Sequence, residues 1–312
     1  MKYLDFHCDT IGECANQNKP LLQNDLHISL EKASCFENYG QVFAVWIPDE
    51  YRKDAAWAYY MRVFSCFQNE LQKNRDRMMQ VKTPEDLKTA FSEKKTAALL
   101  SVEGGAVLGG DLSKLQALYD DGVRLMTLTW NDSNEIGNGC FAENKGGLTP
   151  FGKDVVREIQ KMHILVDVSH LNERGFYDVA ANTHAPFVAS HSDAQIVDNP
   201  YACARNLTDD QIDTLVSRKG LIGLNLCAKF LGNDGDTGMD AVLRHISHFL
   251  SHGAENILAF GCDFDGCTVH ETLNGIDRLP DLFSYLLGHG ISEEQLEKIY
   301  FLNGYRFLVA NL

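Results

Sequence analysis

Residues 163–191 read HILVDVSHLNERGFYDVAANTHAPFVASH. Two short, strongly apolar runs, 163–169 and 186–190, enclose a stretch, 172–181, that mixes acidic, basic and apolar residues in a helical pattern. A strand, a helix and a second strand in that order make one parallel unit. Each run leads directly into a histidine, His170 and His191. Outward from this unit the same alternation recurs. Strands are predicted at 3–9, 41–47, 96–103 and 123–130 before it, and at 220–226 and 257–263 after it. Helical patterns lie at 54–77, 111–121, 150–161, 208–218, 238–252 and 292–309. Eightfold alternation is the signature of an α/β fold, the (β/α)₈ TIM barrel. No repeat or Pro/Gly-rich linker divides the chain, so residues 1–312 are expected to form a single domain. Residues 10–40 show little periodicity and are expected to hold only a short helix. A doubly wound open sheet is the structural alternative, and it too would place ligands at strand C-termini.

The composition narrows the function. The chain has 312 residues, 45% hydrophobic, and a formal net charge of −15. Such a surface repels phosphate backbones and anionic lipid, which argues against nucleic acid and membrane surfaces as partners. No apolar run of about 20 residues is present to span a bilayer. Nine cysteines without CxxC spacing, and no apolar leader, point to reduced thiols in a cytoplasmic enzyme. Cys203, Cys227 and most of the others read as buried small hydrophobes.

The chemistry collects where strands end. Asp9 with His7, Glu103, His170, His191 and Asp263 each close a predicted strand. Barrel enzymes build their sites on the face where those ends converge, and imidazoles with carboxylates are ligands that Zn²⁺ takes. Side chains alternate along a strand, so His7 and Asp9 should face one way and Cys8 the other. Glu103 ends the apolar run 96–102 and precedes Gly104-Gly105; a carboxylate at such depth is costly unless paired or coordinated. Asp263 and Asp265 share one parity. Asp265, just before Gly266, is better read as turn chemistry. His245, His248 and His252 fall at helical spacing and resemble a metal face, but on an outer helix solvent exposure is the simpler expectation.

Taken in order, HCD (7–9), SVEGG (101–105), MTLTWN (126–131), DVSH (167–170), ASHS (189–192), RNL (205–207) and GCDFDG (261–266) resemble the membrane (renal) dipeptidase family of zinc peptidases, as a bacterial cytosolic-type member. The match spans essentially the whole chain. The resemblance implies two Zn²⁺ ions per chain, His7 and Asp9 on the first, His170 and His191 on the second, and Glu103 bridging. It implies that Asp263 is the catalytic acid/base and that Arg205 receives the substrate's free carboxylate, a task suited to a guanidinium fork. Trp130 stands where many relatives carry a histidine that polarises the scissile carbonyl; an indole offers one N–H donor and a large apolar face. Asn131 is adjacent and points elsewhere if the strand continues; together with Trp130 it is a candidate substrate contact.

The expected function is therefore hydrolysis of a dipeptide to free amino acids through a metal-bridging hydroxide, and a homodimer is compatible with the resemblance. Other divalent metals suit the same ligands. The alternatives are a metal-dependent hydrolase of another amide, an N-acyl amino acid or a lactone, and a non-catalytic metal- or peptide-binding barrel. A metal-free isomerase or aldolase would want a lysine at a strand end; Lys145 and Lys229 lie in predicted loops.

Overall fold

The inward residues of each strand change from apolar to polar along its length, and this gradient places the site. A computed structural model describes residues 1–312. Its strands are β1 (Lys2–Cys8), β2 (Asn38–Trp46), β3 (Met78–Gln80), β4 (Thr96–Glu103), β5 (Val123–Thr127), β6 (Leu165–Asp167), β7 (Val188–Ala189), β8 (Leu221–Leu224) and β9 (Leu258–Phe260). All pairings between them are parallel, in the order β2-β1-β9-β8-β7-β6-β5-β4, and β2 pairs with β4 to close an eight-stranded barrel. The expected (β/α)₈ barrel is thus found. Short β3, absent from the sequence reading, pairs with the first residues of β4. With three residues it is too brief to carry a pattern. No helix is long and apolar enough to cross a membrane.

One apolar set draws Leu4 and Phe6, Val42, Leu99, Leu125, Leu165, Val188, Leu221 and Ala259 from eight different strands. The alternate residues, such as Phe43, Leu100, Met126 and Phe260, join the larger core beneath the helices. This two-sided burial is why the strands read as continuous apolar runs. Each fully buried Leu or Phe contributes roughly 1.5–3 kcal/mol. Phe307 and Leu308 of the last helix, Asn303–Asn311, belong to the inner set and close its lower end. Two or four residues further up, the same parity carries Glu103, Thr127, Asp167, Ser190, Asn225 and Asp263. Gly223 and Gly261 hold no Cβ because either one would collide with the Ser190 carbonyl, so three strand ends can approach closely there.

Three expectations need correction. The segment 292–309 is not one helix: a π-helical turn, Lys298–Leu302, separates Glu293–Glu297 from Asn303–Asn311. Buried Asn303 there donates to the carbonyls of Leu258 at 2.8 Å and Glu255 at 2.9 Å, a tertiary demand that periodicity does not encode. Cys203 is exposed because the short helix Pro200–Arg205 turns that face outward, and Cys35, at the end of a separate turn, is exposed as well. His245 is fully buried rather than solvent-facing. Its Nδ1 accepts from the Ala194 N–H at 3.2 Å, and its Nε2 is 3.0 Å from the Leu231 carbonyl, which it can meet only as a donor.

Burial pushes the His245 imidazole down to about 4, and the Leu231 carbonyl only partly opposes this. The folded value lies below the unfolded one, so its stabilisation is present above pH 6.5 and is lost as pH falls toward 4. His245→Gln can keep both hydrogen bonds without titrating. In urea titrations, the stability lost between pH 7 and pH 4.5 should be about 2–3 kcal/mol smaller for this variant than for wild type. Identical acid slopes would refute the assignment.

Candidate metal centre and active-site cleft

Backbone irregularities aim the site residues. Between Asp5, opposite Gln41, and Cys8, opposite Phe43, β1 carries one residue more than β2. Such a bulge re-aims the side chains that follow it. It lets His7 face the barrel mouth although Leu4 and Phe6 line the interior below, so simple alternation does not explain His7. Asp9 follows the strand and precedes the helix Thr10–Gln17. Glu103 is the last residue of β4, in register with Trp46 and Thr127.

The strands leading to the other three residues are shorter than expected. β6 ends at Asp167, β7 at Ala189 and β9 at Phe260, which puts His170, His191 and Asp263 on the following loops. His170 (φ 66°) and Asp263 (φ 61°) adopt the left-handed conformation. It is unfavourable for residues with a Cβ, and it persists where the surroundings over-determine it.

These turns bring all six groups together. His7 Nε2 lies 3.4 Å from Asp9 Oδ2, 3.5 Å from Glu103 Oε2 and 3.9 Å from Asp263 Oδ1. The other Glu103 oxygen, Oε1, lies 2.9 Å from His170 Nε2 and 3.4 Å from His191 Nε2. The two histidine Nε2 atoms are themselves 2.9 Å apart. His7 and Glu103 are 0% and 3% exposed, yet neither ring nitrogen of His7, nor Asp9 Oδ1, has a hydrogen-bond partner. Leaving such atoms unsatisfied is costly. A divalent cation among these nitrogens and oxygens would satisfy them, and the donor set suits one.

The electrostatics follow from burial against near neighbours. For Glu103, burial opposes the charge, but His7 and the two other imidazoles outweigh it and hold the carboxyl well below its ordinary range. Burial pushes His170 down to about 4, with Arg205 adding to the effect. Burial and His7 hold His191 well below its usual value. Both therefore offer neutral nitrogens, the form that binds metals. Burial, opposed by His7 and reinforced by Asp9 and Glu103, raises Asp263 to about 7 among the protein groups alone.

A surrounding network fixes these orientations. The Asp167 carboxylate accepts from Thr127 Oγ1 and Ser190 Oγ, both at 2.5 Å, and from the Ser169 and Ser190 N–H groups. Ser190 Oγ lies 2.7 Å from His191 Nδ1, so His191 presents Nε2 to Glu103. Asn131 Oδ1 accepts from His170 Nδ1 at 3.0 Å and does the same for that ring. The sequence reading turned Asn131 away on the premise of a continuing strand; β5 stops at Thr127, so the premise fails. Asn225 Nδ2 donates to Asp263 Oδ2 at 3.1 Å. Asp265 instead accepts from Thr10 Oγ1 at 2.6 Å and the His27 N–H at 2.7 Å, tying the aperiodic segment 10–40 to the end of β9.

Above the cluster lies a cleft of about 800 Å³, lined by Asp9, Glu103, His170 and Asp263 and walled by Trp46, Trp130, Phe141, Tyr201 and Phe230. Trp130 meets Trp46 edge-on, with centroids 4.9 Å apart. Sequence reasoning missed Trp46, Asn225 and Asp167. The β2–β4 register that sets Trp46 beside Glu103 was the one usable signal for the first, and it requires knowing which strands pair. Trp46 Nε1 is buried without a partner. Arg205 does not line the cleft. Its Nη1 donates to Ser192 Oγ at 2.8 Å and its Nη2 to the His191 carbonyl at 2.7 Å, while Nε is unpaired. Lys229, on a short helix rather than a loop, does line it.

The sequence model of the family described as membrane dipeptidase (Peptidase family M19) matches residues 1–310. An uncharacterized protein in the pqqA 5′ region of Klebsiella pneumoniae is 33% identical over 234 residues, 72% of this chain and 85% of that protein. Dipeptidase tcpJ of Claviceps purpurea is 31% identical over 237 residues, 75% of this chain but only 55% of its own length. Among solved structures, a metallo peptidase from Rhodobacter sphaeroides, liganded with a phosphinate mimic of the dipeptide L-Ala-D-Ala, superposes with a TM-score of 0.91. It is 25% identical, and the match covers 100% of this chain and 99% of that one.

Proposed function

The chain belongs to the membrane dipeptidase family, and from that premise we propose that it hydrolyses dipeptides to free amino acids with two divalent cations, zinc in the first instance, at the barrel mouth. The observation that carries this reading is Glu103, whose two oxygens face separate ligand sets, His7 on one side and His170 with His191 on the other. His7 and Asp9 would hold one cation, His170 and His191 the other, and Glu103 both. Bound there, the cations would supply Lewis acidity toward the scissile carbonyl and bring the ionisation of an attacking water toward neutral pH.

The chain's own groups do the rest. Asn225 holds Asp263 Oδ2, which leaves Oδ1 to accept the water's proton and return it to the departing amine. Trp130 and Trp46 wall the cleft together with Glu103. Trp130 cannot act as an acid or base, and the N–H of Trp46 is buried without a partner. The resemblance makes Arg205 the anchor for the substrate's terminal carboxylate; its guanidinium lies in the wall with Nε buried and unpaired, so Lys229, which lines the cleft, is the competing cation.

Zinc-loaded protein given a dipeptide panel should turn over at least some members, lose activity on chelation and regain it with zinc. No turnover of any dipeptide sinks the proposal. Faster turnover of N-acyl amino acids than of dipeptides would favour the rival amide hydrolase. Fewer than two bound ions with no hydrolysis would favour a binding barrel. Arg205→Ala should lower kcat/KM for free-carboxylate dipeptides by roughly 10–100-fold, the worth of one charge-assisted hydrogen bond, and spare the C-terminally amidated forms. If Lys229→Ala shows that selectivity instead, the anchor is Lys229.

A further inference from the structure

The outer helix that buries His245 turns His248 and His252 the other way, toward the neighbouring helix. Helix Asp209–Ser217 and helix Met239–Ser251 present matching pairs one turn apart, Asp209 and Asp213 on the first, His248 and His252 at the end of the second. His248 Nε2 lies 2.8 Å from Asp209 Oδ1, and His252 Nε2 lies 3.5 Å from the same oxygen. His252 Nδ1 lies 2.9 Å from Asp213 Oδ1. One ligand atom each from Asp209, His248 and His252 falls within 4.8 Å of the other two.

We propose that Asp209, His248 and His252 form a second, solvent-facing site for a borderline divalent transition-metal ion such as Zn²⁺, with Asp213 positioning His252. A carboxylate only accepts, so His252 must donate from Nδ1 to Asp213, and Nε2, facing Asp209, is the ring nitrogen left to meet an ion. A carboxylate behind a metal-binding imidazole is the usual partner that fixes ring and tautomer. Ligand atoms on a tetrahedral ion with bonds of about 2.0–2.2 Å stand about 3.3 Å apart. The observed 2.8 and 3.5 Å bracket that value, and adjustments of a few tenths of an ångström are available to side chains at the surface. On binding, His248 Nε2 would give its proton to solvent and Asp209 Oδ1 would exchange that hydrogen bond for the ion. Both imidazoles also sit at a helix C-terminus, whose partial negative charge favours a cation. An ordinary surface ion-pair network would have no need of the converging Nε2 atoms, and it contributes little stability by itself. An ion here would join the two helices that flank β8 in the chain.

The test is metal stoichiometry on zinc-loaded, untagged enzyme dialysed against rising free Zn²⁺. Wild type should bind one ion per chain more than His248→Gln/His252→Gln, at equal dipeptidase activity, and only wild type should gain thermal stability as that ion binds. Asp213→Asn should keep the ion but weaken it about 10–100-fold. Equal ion counts in wild type and the double variant overturn the proposal. If the double variant loses activity, and so its fold, Asp209→Asn is counted in its place against the same criterion.

Discussion

Glu103→Gln is expected to lower kcat/KM by about 10⁴-fold or more, a loss of roughly 5.5 kcal/mol or more of transition-state stabilisation, and to reduce bound metal below two ions. Glutamine keeps the volume and can still hydrogen-bond, so packing under the cleft should survive. What it loses is the anionic pair of oxygens, one within 3.5 Å of His7 and the other within 3.4 Å of both His170 and His191. A neutral amide presents one acceptor and one donor, and the donor would face imidazole nitrogens or a cation. Three imidazoles would then surround a neutral group in a site where burial penalises any uncompensated charge. Metal analysis and steady-state kinetics on the same sample decide the matter, with circular dichroism as the folding control. A variant that keeps two ions and more than about a tenth of wild-type activity would leave the bridging assignment without support, since a missing carboxylate bridge must cost more than one order of magnitude.

Asp263→Asn should behave differently. The expected fall in kcat is about 10²–10⁴-fold, the range of a single acid/base group, with metal content retained. Asp263 is the most distant of the carboxylates around His7 Nε2, at 3.9 Å, and Asn225 already occupies its other oxygen. A group that moves protons is active as the carboxylate for attack, so wild-type kcat should rise with pH through its ionisation. Among protein groups alone that lies at about 7. Bound cations favour the carboxylate, so the limb in the loaded enzyme should fall at or below that pH. The variant should lose the limb and should be least impaired on substrates whose leaving group needs no proton. Unchanged pH dependence in Asp263→Asn would mean that the aspartate only positions its neighbours.

Much of this site was legible before any coordinates, and its failures share a cause. His7, Asp9, Glu103, His170, His191 and Asp263 were readable because apolar runs point to strands, and parallel barrels gather strand ends on one face. The direction of Asn131, which lines the cleft, stayed conditional because the length of β5 depends on where Asp167 and Glu103 pair across it, not on residues 123–130 themselves. Trp46 and Asn225 went unnoticed because nothing local separates them from other strand residues. Their significance comes from Glu103 and Asp263, which lie 57 and 38 positions away. His245 was grouped with His248 and His252 because all three share helical spacing; the first faces Ala194 and Leu231, the others Asp209 and Asp213.

By itself, the sequence determined the alternation that makes a barrel, the residue types that stand at its strand ends, and their order, because periods of two and 3.6 residues are local properties of a chain. Only the tertiary structure decided which nitrogen faces which oxygen. It did so through the bulge in β1 that re-aims His7, the left-handed turns at His170 and Asp263, and the hydrogen bonds that turn Arg205 into the wall. Each of these depends on closing a sheet between residues far apart in the chain. A shift of one position in that closure, about 3.3 Å along a strand, would displace the ligands on that strand by far more than the roughly 0.2 Å a metal site tolerates.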